Sequence, residues 1–181
     1  QQMLEVLKKY YEFKIIALTG YKNTELLAMQ GKEFQCQIAT SPNLDFSEAD
    51  IIVNLLSGTS GIEPSKKALQ QDKKLLLANK EAIVAAGSEI MPLAKPGQLI
   101  PIDSEHNAIY EILQAYPNEV IDHITLPCSG GPFLGYKDLS HITMQDALAH
   151  PRWNMGAKIS LESALLINKG LEIIEAHYLF D

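Results

Sequence analysis

The chain lacks several features that would place it in a specialised class of protein. Its longest apolar runs, residues 51–56 and 75–78, fall far short of the roughly 20 residues that a membrane span needs. Cysteine is scarce, and Cys36 and Cys128 stand neither in a C-x-x-C pair nor at a metal-ligand spacing. The sequence therefore excludes a membrane span and gives no support for a disulfide scaffold or a zinc ribbon.

Positive charge is also in short supply. The 15 lysines and arginines are outnumbered by 22 aspartates and glutamates, which gives a formal net charge of −7. General nucleic-acid binding relies on basic side chains that neutralise phosphates, so we expect no nucleic-acid partner. A local positive pocket for one small phosphate remains compatible with this composition. The apolar share of 46% and the charged share of 20% are those of a folded globular chain, not of a disordered one.

The sequence also has no G-x-G-x-x-G motif, although its hydrophobic pattern alternates between strand-like and helix-like segments. Short strands separated by helices of 8–12 residues predict a parallel sheet with helical crossovers, an α/β fold. The pattern predicts strands at 13–18, 33–39, 49–56 (buried), 74–78, 98–102 and 119–127. It predicts helices at 3–9, 24–30 (opened by Thr24 and ended at Gly31), 64–71, 80–86, 104–116, 144–150 and, in large part, 160–180.

Polar residues follow two of these strands. Asp103 and Glu105 come directly after the strand at 98–102, and two such carboxylates can converge on one hard cation. The same residues also fit a helix N-cap with acid near the positive helix end, and spacing alone does not separate the two interpretations. Asn79, Lys80 and Glu81 end the strand at 74–78, where capping is again the simpler alternative.

Three further groups carry potential chemistry. Asn168 and Glu172 share a helix face next to Lys169, with Ser163 upstream, which suits an anionic ligand but equally a solvated polar face. The glycines of segment 128–133 would let backbone N–H groups approach an anion, although a plain surface turn has the same pattern. Trp153, the only tryptophan, lies in a loop that suits a lid, whereas most lone tryptophans are core residues.

Taken in order, the segments LANKE, PIDSEHNAIYEIL, SGGPF, HPRWNMGAKIS and ESALLINKGLEIIEA resemble the 1-deoxy-D-xylulose 5-phosphate reductoisomerases, and the likeness is strongest over 74–180. These NADPH-dependent enzymes belong to the non-mevalonate isoprenoid pathway. The resemblance implies isomerisation of 1-deoxy-D-xylulose 5-phosphate and hydride reduction to 2-C-methyl-D-erythritol 4-phosphate. It implies a Rossmann-like NADP-binding domain without its first strand (1–102), followed by the start of an α+β catalytic domain (103–181).

The resemblance also assigns residues to roles. The divalent cation, Mn²⁺ or Mg²⁺, would be held by Asp103, Glu105 and Glu172, which with Lys80 form the catalytic set. Substrate would be bound by Lys80, Ser104, Glu105, Ser129, His150, Trp153, Ser163, Asn168, Lys169 and Glu172, of which Trp153 is the lid and Ser129, His150, Ser163, Asn168 and Lys169 hold the phosphate end. The NADPH cofactor would lie against Tyr21, Lys22, Asn23, Asn79, Glu81 and Gly156.

The sequence departs from the family pattern in four ways. The Gly-rich turn of the GSTGSIG type is missing, the stretch between Asn23 and Gly58 is short, Tyr21 stands where the family usually has glycine, and the chain is about half as long as a full member. We therefore expect a fragment with weakened NADPH binding.

The expected partner is a phosphorylated sugar, with a homodimer at full length, no membrane contact, and a bacterial cytoplasm favoured over a plastid stroma. Two other functions stay open: a non-catalytic remnant that binds metal or sugar phosphate, and a metal-dependent sugar-phosphate enzyme without nicotinamide chemistry.

Overall fold

The structure, a computed structural model, describes residues 2–10, 12–40, 45–150 and 156–180. Its strands are β1 (Ala17–Thr19), β2 (Gln37–Ala39), β3 (Ile51–Asn54), β4 (Lys74–Leu77) and β5 (Leu99–Pro101). Its helices are α1 (Gln2–Leu7), α2 (Thr24–Phe34), α3 (Ile62–Gln70), α4 (Lys80–Ile90), α5 (Ser104–Ala115), α6 (Met144–Leu148), α7 (Ala157–Ala164) and α8 (Ile167–Phe180). Among the described residues, no helix combines the length and the apolar character that a membrane span requires.

The strands form two parallel sheets. β1 pairs with β2, and β3, β4 and β5 form a second sheet in that order. Helices α2, α3 and α4 connect consecutive strands, as parallel pairing demands. The α/β prediction is thus confirmed, and the carboxyl ends of β3, β4 and β5 meet at one edge, where ligands of such folds collect.

The core lies between the second sheet and its crossover helices. Leu75 and Leu77 of β4 are buried against Ala68 and Leu69 of α3 and Ile83 of α4. The C-terminal helix α8 adds Tyr178 and Leu179 to the same cluster. Helix α8 therefore rests on the sheet domain, across the predicted domain boundary at residue 102, which itself stays a prediction.

Strand β3 differs from the buried strand predicted at 49–56. It covers only Ile51–Asn54, and Ile51 and Val53 remain 38% and 37% exposed. The reason is its place at the edge of the sheet, where Ile52 and Asn54 face the covered side. The prediction of a fully buried strand was wrong because a continuous apolar run does not reveal which face is covered. Strands β1 and β2 are also shorter than predicted.

The strand predicted at 119–127 does not form. No ladder pairing involves this segment in the described part of the chain, and Val120, Ile121 and Ile124 are 95%, 44% and 43% exposed. A strand needs the N–H and C=O groups of a neighbour, so β-branched composition alone does not make one. That prediction was wrong.

The ends of α2 and α4 also differ from the sequence expectation. The cap of α2 is Asn23, whose side chain accepts a hydrogen bond from the Leu26 N–H at 2.9 Å, and not Thr24. The helix also continues past Gly31, where a Cβ would lie 2.2 Å from a methyl of Ile38, so glycine serves close packing there rather than termination. Helix α4 runs to Ile90 instead of residue 86, with an irregular turn at Ala86.

Candidate active site

A cleft of about 290 Å³ opens at the carboxyl edge of the three-stranded sheet. One wall comes from the segments that follow the strands: residues 55–57 after β3, Lys80 and Glu81 after β4, and Asp103 after β5. The opposite wall comes from the start of α7 and from Asn168 of α8. The cleft thus lies where the sheet topology favours a ligand site.

The predicted carboxylate trio comes together beside this cleft. Carboxylate oxygens of Asp103, Glu105 and Glu172 lie within 4.8 Å of one another. Asp103 is the N-cap of α5 and Glu105 lies in its first turn, so the capping interpretation is confirmed, and it leaves the cation site open as a prediction. Glu172 reaches the pair from α8 and is buried. Three carboxylates at this spacing suit a hard divalent cation.

Two lysines accompany the trio. The Nζ of Lys80 lies 2.6 Å from Oδ2 of Asp103 and 3.1 Å from Oε1 of Glu172, and it also donates to Oδ1 of Asn168 at 3.0 Å. Lys169 contacts Glu172 directly, and its Nζ lies 3.8 Å from Oε1 of Glu105. The ammonium groups of these two lysines therefore partly neutralise the three carboxylates.

The electrostatic environment keeps Lys80 and Glu105 charged. Burial lowers the pKa of Lys80, but hydrogen bonding to Asp103 and the charges of Asp103 and Glu172 outweigh it and hold that pKa above its usual value. Burial likewise raises the pKa of Glu105, yet the hydroxyl of Ser104, which donates at 2.7 Å, and the nearby lysines bring the net pKa below its usual value. Lys80 is thus held as an ammonium group and Glu105 as a carboxylate near neutral pH.

Asn79 organises the turn after β3 and uses its side chain for contacts within the protein. Its Oδ1 caps α4 by accepting from the Ala82 N–H at 2.7 Å. Its Nδ2 donates to the carbonyls of Leu56 and Gly58, and the side chain is fully buried. Every polar atom of Asn79 is thus used in capping and in holding the short 3₁₀ turn at Gly58–Gly61 against β4.

Glu81 joins this turn to α7. Its Oε1 accepts from the Gly58 N–H at 3.3 Å and from Nζ of Lys158 at 2.6 Å. The same lysine pairs with Glu162 at 2.8 Å, and this contact and the one to Glu81 raise the pKa of Lys158. Gly156, the N-cap position of α7, is exposed in the same cleft. Glu81 and Gly156, both predicted to face the cofactor, thus line the same cleft. Lys158 and Glu162 were not singled out from the sequence.

Two of the residues predicted for the phosphate end, Ser129 and His150, contact each other, whereas Asn168 and Lys169 lie against Glu172 of the carboxylate trio. Oγ of Ser129 lies 3.0 Å from Nε2 of His150, and it accepts from the Gly131 N–H at 3.3 Å. Gly131, with a φ of 68°, lies so close to α7 that a Cβ there would be 3.0 Å from the carbonyl oxygen of Ser163. Glycine is required here both by the backbone conformation and by the close approach.

The predicted residues that follow β1 do not line the cleft. Tyr21, Lys22 and Asn23 follow β1 and are exposed, with Asn23 engaged as the cap of α2. Trp153 lies outside the described residues. Their proposed roles in cofactor binding and as a lid stay predictions.

Sequence reasoning missed a buried pair behind the trio. His106 and Glu175 are fully buried, with Nδ1 of His106 lying 3.2 Å from Oε2 of Glu175. Burial, together with the charge of Asp103, raises the pKa of Glu175 to about 8. The available signal was helical spacing: His106 is three residues from Asp103, and Glu175 is three from Glu172, so each pair shares a helix face.

The fold and the cleft define a Rossmann-like α/β protein with a candidate divalent-cation site. Comparison with family models narrows this class: the 1-deoxy-D-xylulose 5-phosphate reductoisomerase model matches residues 43–87, and the model of the C-terminal domain of the same enzyme matches residues 99–180. The chain belongs to the 1-deoxy-D-xylulose 5-phosphate reductoisomerase family.

Curated relatives agree with this assignment. The chain is 38% identical over 211 residues to the reductoisomerase of Thermoanaerobacter pseudethanolicus, covering 99% of the chain and 55% of the relative. It is 42% identical over 172 residues to that of Clostridium perfringens, covering 93% and 44%. The chain therefore spans about half the length of the curated relatives it matches. The 211-residue alignment exceeds the chain length, so the Thermoanaerobacter relative carries extra residues inside the matched region.

Solved structures of this family share the fold. A crystal structure of DOX-P reductoisomerase in complex with NADPH, fosmidomycin and magnesium superimposes with a TM-score of 0.86 at 34% identity, over 98% of this chain and 54% of that one. The reductoisomerase of Zymomonas mobilis in complex with NADPH gives 0.85 at 27% identity, over 99% and 55%. The predicted Rossmann-like α/β class is confirmed.

Proposed function

We propose that this chain carries the metal and substrate machinery of an NADPH-dependent reductoisomerase. Its reaction converts 1-deoxy-D-xylulose 5-phosphate into 2-C-methyl-D-erythritol 4-phosphate by isomerisation and then hydride reduction, a step of non-mevalonate isoprenoid synthesis. One observation carries the proposal: carboxylates from α5 and α8, far apart in sequence, lie within 4.8 Å of one another at the carboxyl edge of the sheet. Membership in the family supports the same reaction.

Asp103, Glu105 and Glu172 would hold Mn²⁺ or Mg²⁺. The residues fit a hard dication, because they offer carboxylate oxygens and because lysine ammonium groups already lie against them. When bound, the cation supplies Lewis-acid stabilisation of charge on the adjacent oxygens of the keto-diol. Lys80, Ser104 and Asn168 lie beside the trio, where they would contact the substrate oxygens.

The phosphate end of the substrate would lie against the cluster of Ser129, His150 and Ser163. A hydroxyl, an imidazole and glycine N–H groups are donors that suit an anion, and Lys169 and Asn168 of α8 would add charge and an amide. The phosphate takes no part in bond breaking. Its contacts would supply remote binding energy for orientation and for closure of the loop that contains Trp153.

The nicotinamide cofactor would lie in the cleft between Glu81 on one wall and Gly156 on the other. Asn79 fixes the turn at Gly58–Gly61 next to Glu81. NADPH binding by crystallised relatives supports this placement. Tyr21, Lys22 and Asn23, after β1, would approach the adenosine phosphate.

The test is substrate-dependent oxidation of NADPH by the 181-residue chain with Mn²⁺, beside the full-length Clostridium perfringens relative as the positive control. Mn²⁺ and NADPH binding are titrated separately. Mn²⁺ binding together with NADPH oxidation supports the proposal. Mn²⁺ and sugar-phosphate binding without any oxidation, at an NADPH concentration that the titration shows to saturate the chain, favours a metal-dependent sugar-phosphate binder instead. The absence of Mn²⁺ binding by the folded chain contradicts both functions.

Assembly and compartment are proposals of the same kind. We propose a homodimer for the full-length protein, tested by analytical ultracentrifugation at several concentrations. The named relatives come from bacteria, which agrees with a bacterial cytoplasm as the expected compartment.

A further inference from the structure

His106 connects the two helices that carry the metal-ligand candidates. Its Nε2 lies 2.9 Å from the backbone carbonyl oxygen of Glu172 on α8, while the residue itself belongs to α5. Because a carbonyl oxygen only accepts, Nε2 carries the hydrogen of this bond. Nδ1 is thereby directed to Glu175, one turn further along α8.

Both partners are fixed by their surroundings. His106 and Glu175 are fully buried, and the imidazole ring stacks on Phe180 with centroids 6.2 Å apart and planes 16° from parallel. Apart from the 3.2 Å contact between them, neither Nδ1 of His106 nor the carboxyl oxygens of Glu175 have a hydrogen-bond partner among the described residues. A buried polar group without a partner costs free energy, so each residue depends on the other.

We propose that His106, oriented by Glu175, is a positioning residue that holds Glu172 in register with Asp103 and Glu105. This inference rests on the proposed metal-dependent function. The hydrogen bond from His106 ends on the backbone of the ligand residue itself, and His106 directly follows Glu105, so it joins the two ligand-bearing segments at their ligands. Substitution of residues that orient metal ligands without touching the metal commonly lowers metal affinity 10- to 100-fold.

A different role for the pair is a second cation site, because ligand atoms of Asp103, His106 and Glu175 also lie within 4.8 Å of one another. The observations favour positioning. Nε2 of His106 is already bonded to a backbone carbonyl, and neither His106 nor Glu175 has an exposed side through which an ion would meet water. The stoichiometry of Mn²⁺ binding separates the two roles.

The test uses two matched pairs of variants in the 181-residue chain. His106→Gln keeps an amide donor near the position of Nε2, whereas His106→Asn is too short to reach the Glu172 carbonyl. Glu175→Gln keeps a hydrogen-bonding group for Nδ1, whereas Glu175→Met has similar length and none. His177→Gln, an exposed position on α8, is the control. Mn²⁺ affinity and stoichiometry are measured by calorimetry and by EPR of the free ion, with urea unfolding in parallel.

We expect one Mn²⁺ per unsubstituted chain. We expect affinity at least tenfold weaker in His106→Asn and Glu175→Met, and within about threefold of the original in His106→Gln, Glu175→Gln and the control. If one variant does not fold, the other pair gives the same comparison.

Three results would overturn the inference. Unchanged affinity in folded His106→Asn and Glu175→Met would make the pair purely structural. Two Mn²⁺ per chain, with one lost in Glu175→Gln, would make the pair ligands. No Mn²⁺ bound by the unsubstituted chain would instead remove the proposed function itself, and the inference with it.

Discussion

At the scale of single residues, the candidate site is a balance of charges. Asp103, Glu105 and Glu172 bring three negative charges close together, and Lys80 and Lys169 lie among them at ion-pair distances. Such a cluster has two ways to neutralise itself, either through the lysines or through a divalent cation. The lysines are therefore competitors for the carboxylate oxygens as well as groups available to a substrate.

Glu105→Gln should weaken Mn²⁺ binding at least tenfold, about 1.4 kcal/mol or more. The substitution keeps the size of the side chain but removes one charged ligand of the trio. Titration calorimetry measures the effect, and Glu111→Gln, an exposed change on the same helix, should leave affinity unaltered. An unchanged affinity in Glu105→Gln would show that the metal assignment is wrong.

Lys80→Met should have the opposite effect and strengthen Mn²⁺ binding. Removing a buried cation that lies 2.6 Å from Asp103 and 3.1 Å from Glu172 removes a competitor for their oxygens. We expect a gain of about tenfold, well below the unscreened Coulomb energy of such a contact. Lys66→Met, which breaks ion pairs with Glu63 and Glu89 away from the trio, is the control. Weaker binding in Lys80→Met would mean that the lysine holds the carboxylates in place rather than competing with the metal.

Glu175 should make stability depend on pH. Its pKa rises from the ordinary glutamate value of 4.5 to about 8 on folding, chiefly through burial, so between these values the folded chain holds a proton that the unfolded chain has released. The free energy of unfolding should then fall as pH rises from about 5 to 8, by at most about 1.4 kcal/mol per pH unit. Urea unfolding in EDTA measures the slope. Glu175→Gln should flatten it, and an equal slope in that variant would contradict the assignment.

At the scale of elements, local sequence signals determine where a strand ends and the next helix begins, whereas tertiary packing determines which apolar segments become buried strands. The strands after which Lys80 and Asp103 stand were predictable, because short apolar runs are bounded by Asn, Asp and Ser that cap the next helix. The absence of a strand at 119–127 and the exposure of Val53 were not predictable. Both depend on what packs beside the segment rather than on the segment's own residues.

The contact between α4 and α8 is an element-scale feature that the sequence did not reveal. A Cβ on Gly87 would lie 2.6 Å from the ring of Tyr178, so this glycine allows the two helices to approach closely. Gly87→Ala should destabilise the fold by roughly 1–3 kcal/mol, because the ring or the helix must shift. Urea unfolding measures the change.

Gly170→Ala on α8 is the matched control for that prediction. No atom lies within 4 Å of the position that its Cβ would take, so the substitution should bring only the better helix propensity of alanine, a gain of at most about 1 kcal/mol. Equal effects of the two substitutions would show that close packing at Gly87 is not what joins the helices.

At the scale of the whole molecule, the site depends on long-range assembly. The resemblance of five short segments predicted which carboxylates would meet, and the structure brings all three together. Helical spacing relates His106 to Asp103 and Glu175 to Glu172, but only the docking of α5 against α8 makes His106 and Glu175 neighbours, so the pair itself escaped prediction. Likewise, the engagement of Asn79 with the carbonyls of Leu56 and Gly58 depends on how β3 and β4 are aligned.

Metal binding should therefore stabilise the folded molecule as a unit, because Asp103 and Glu105 belong to one segment and Glu172 to another. An ion that binds only the folded state adds RT ln(1 + [L]/Kd), about 2.7 kcal/mol at 100 times Kd. For a chain of this size the midpoint of thermal unfolding should rise by roughly 5–10 °C. Scanning calorimetry with and without Mn²⁺ measures the shift. EDTA should reverse it, and the control variant Glu111→Gln should show the same shift as the original chain. A shift of the same size in Glu105→Gln would place the ion elsewhere, since a site built from both segments loses its affinity when either one loses its charge.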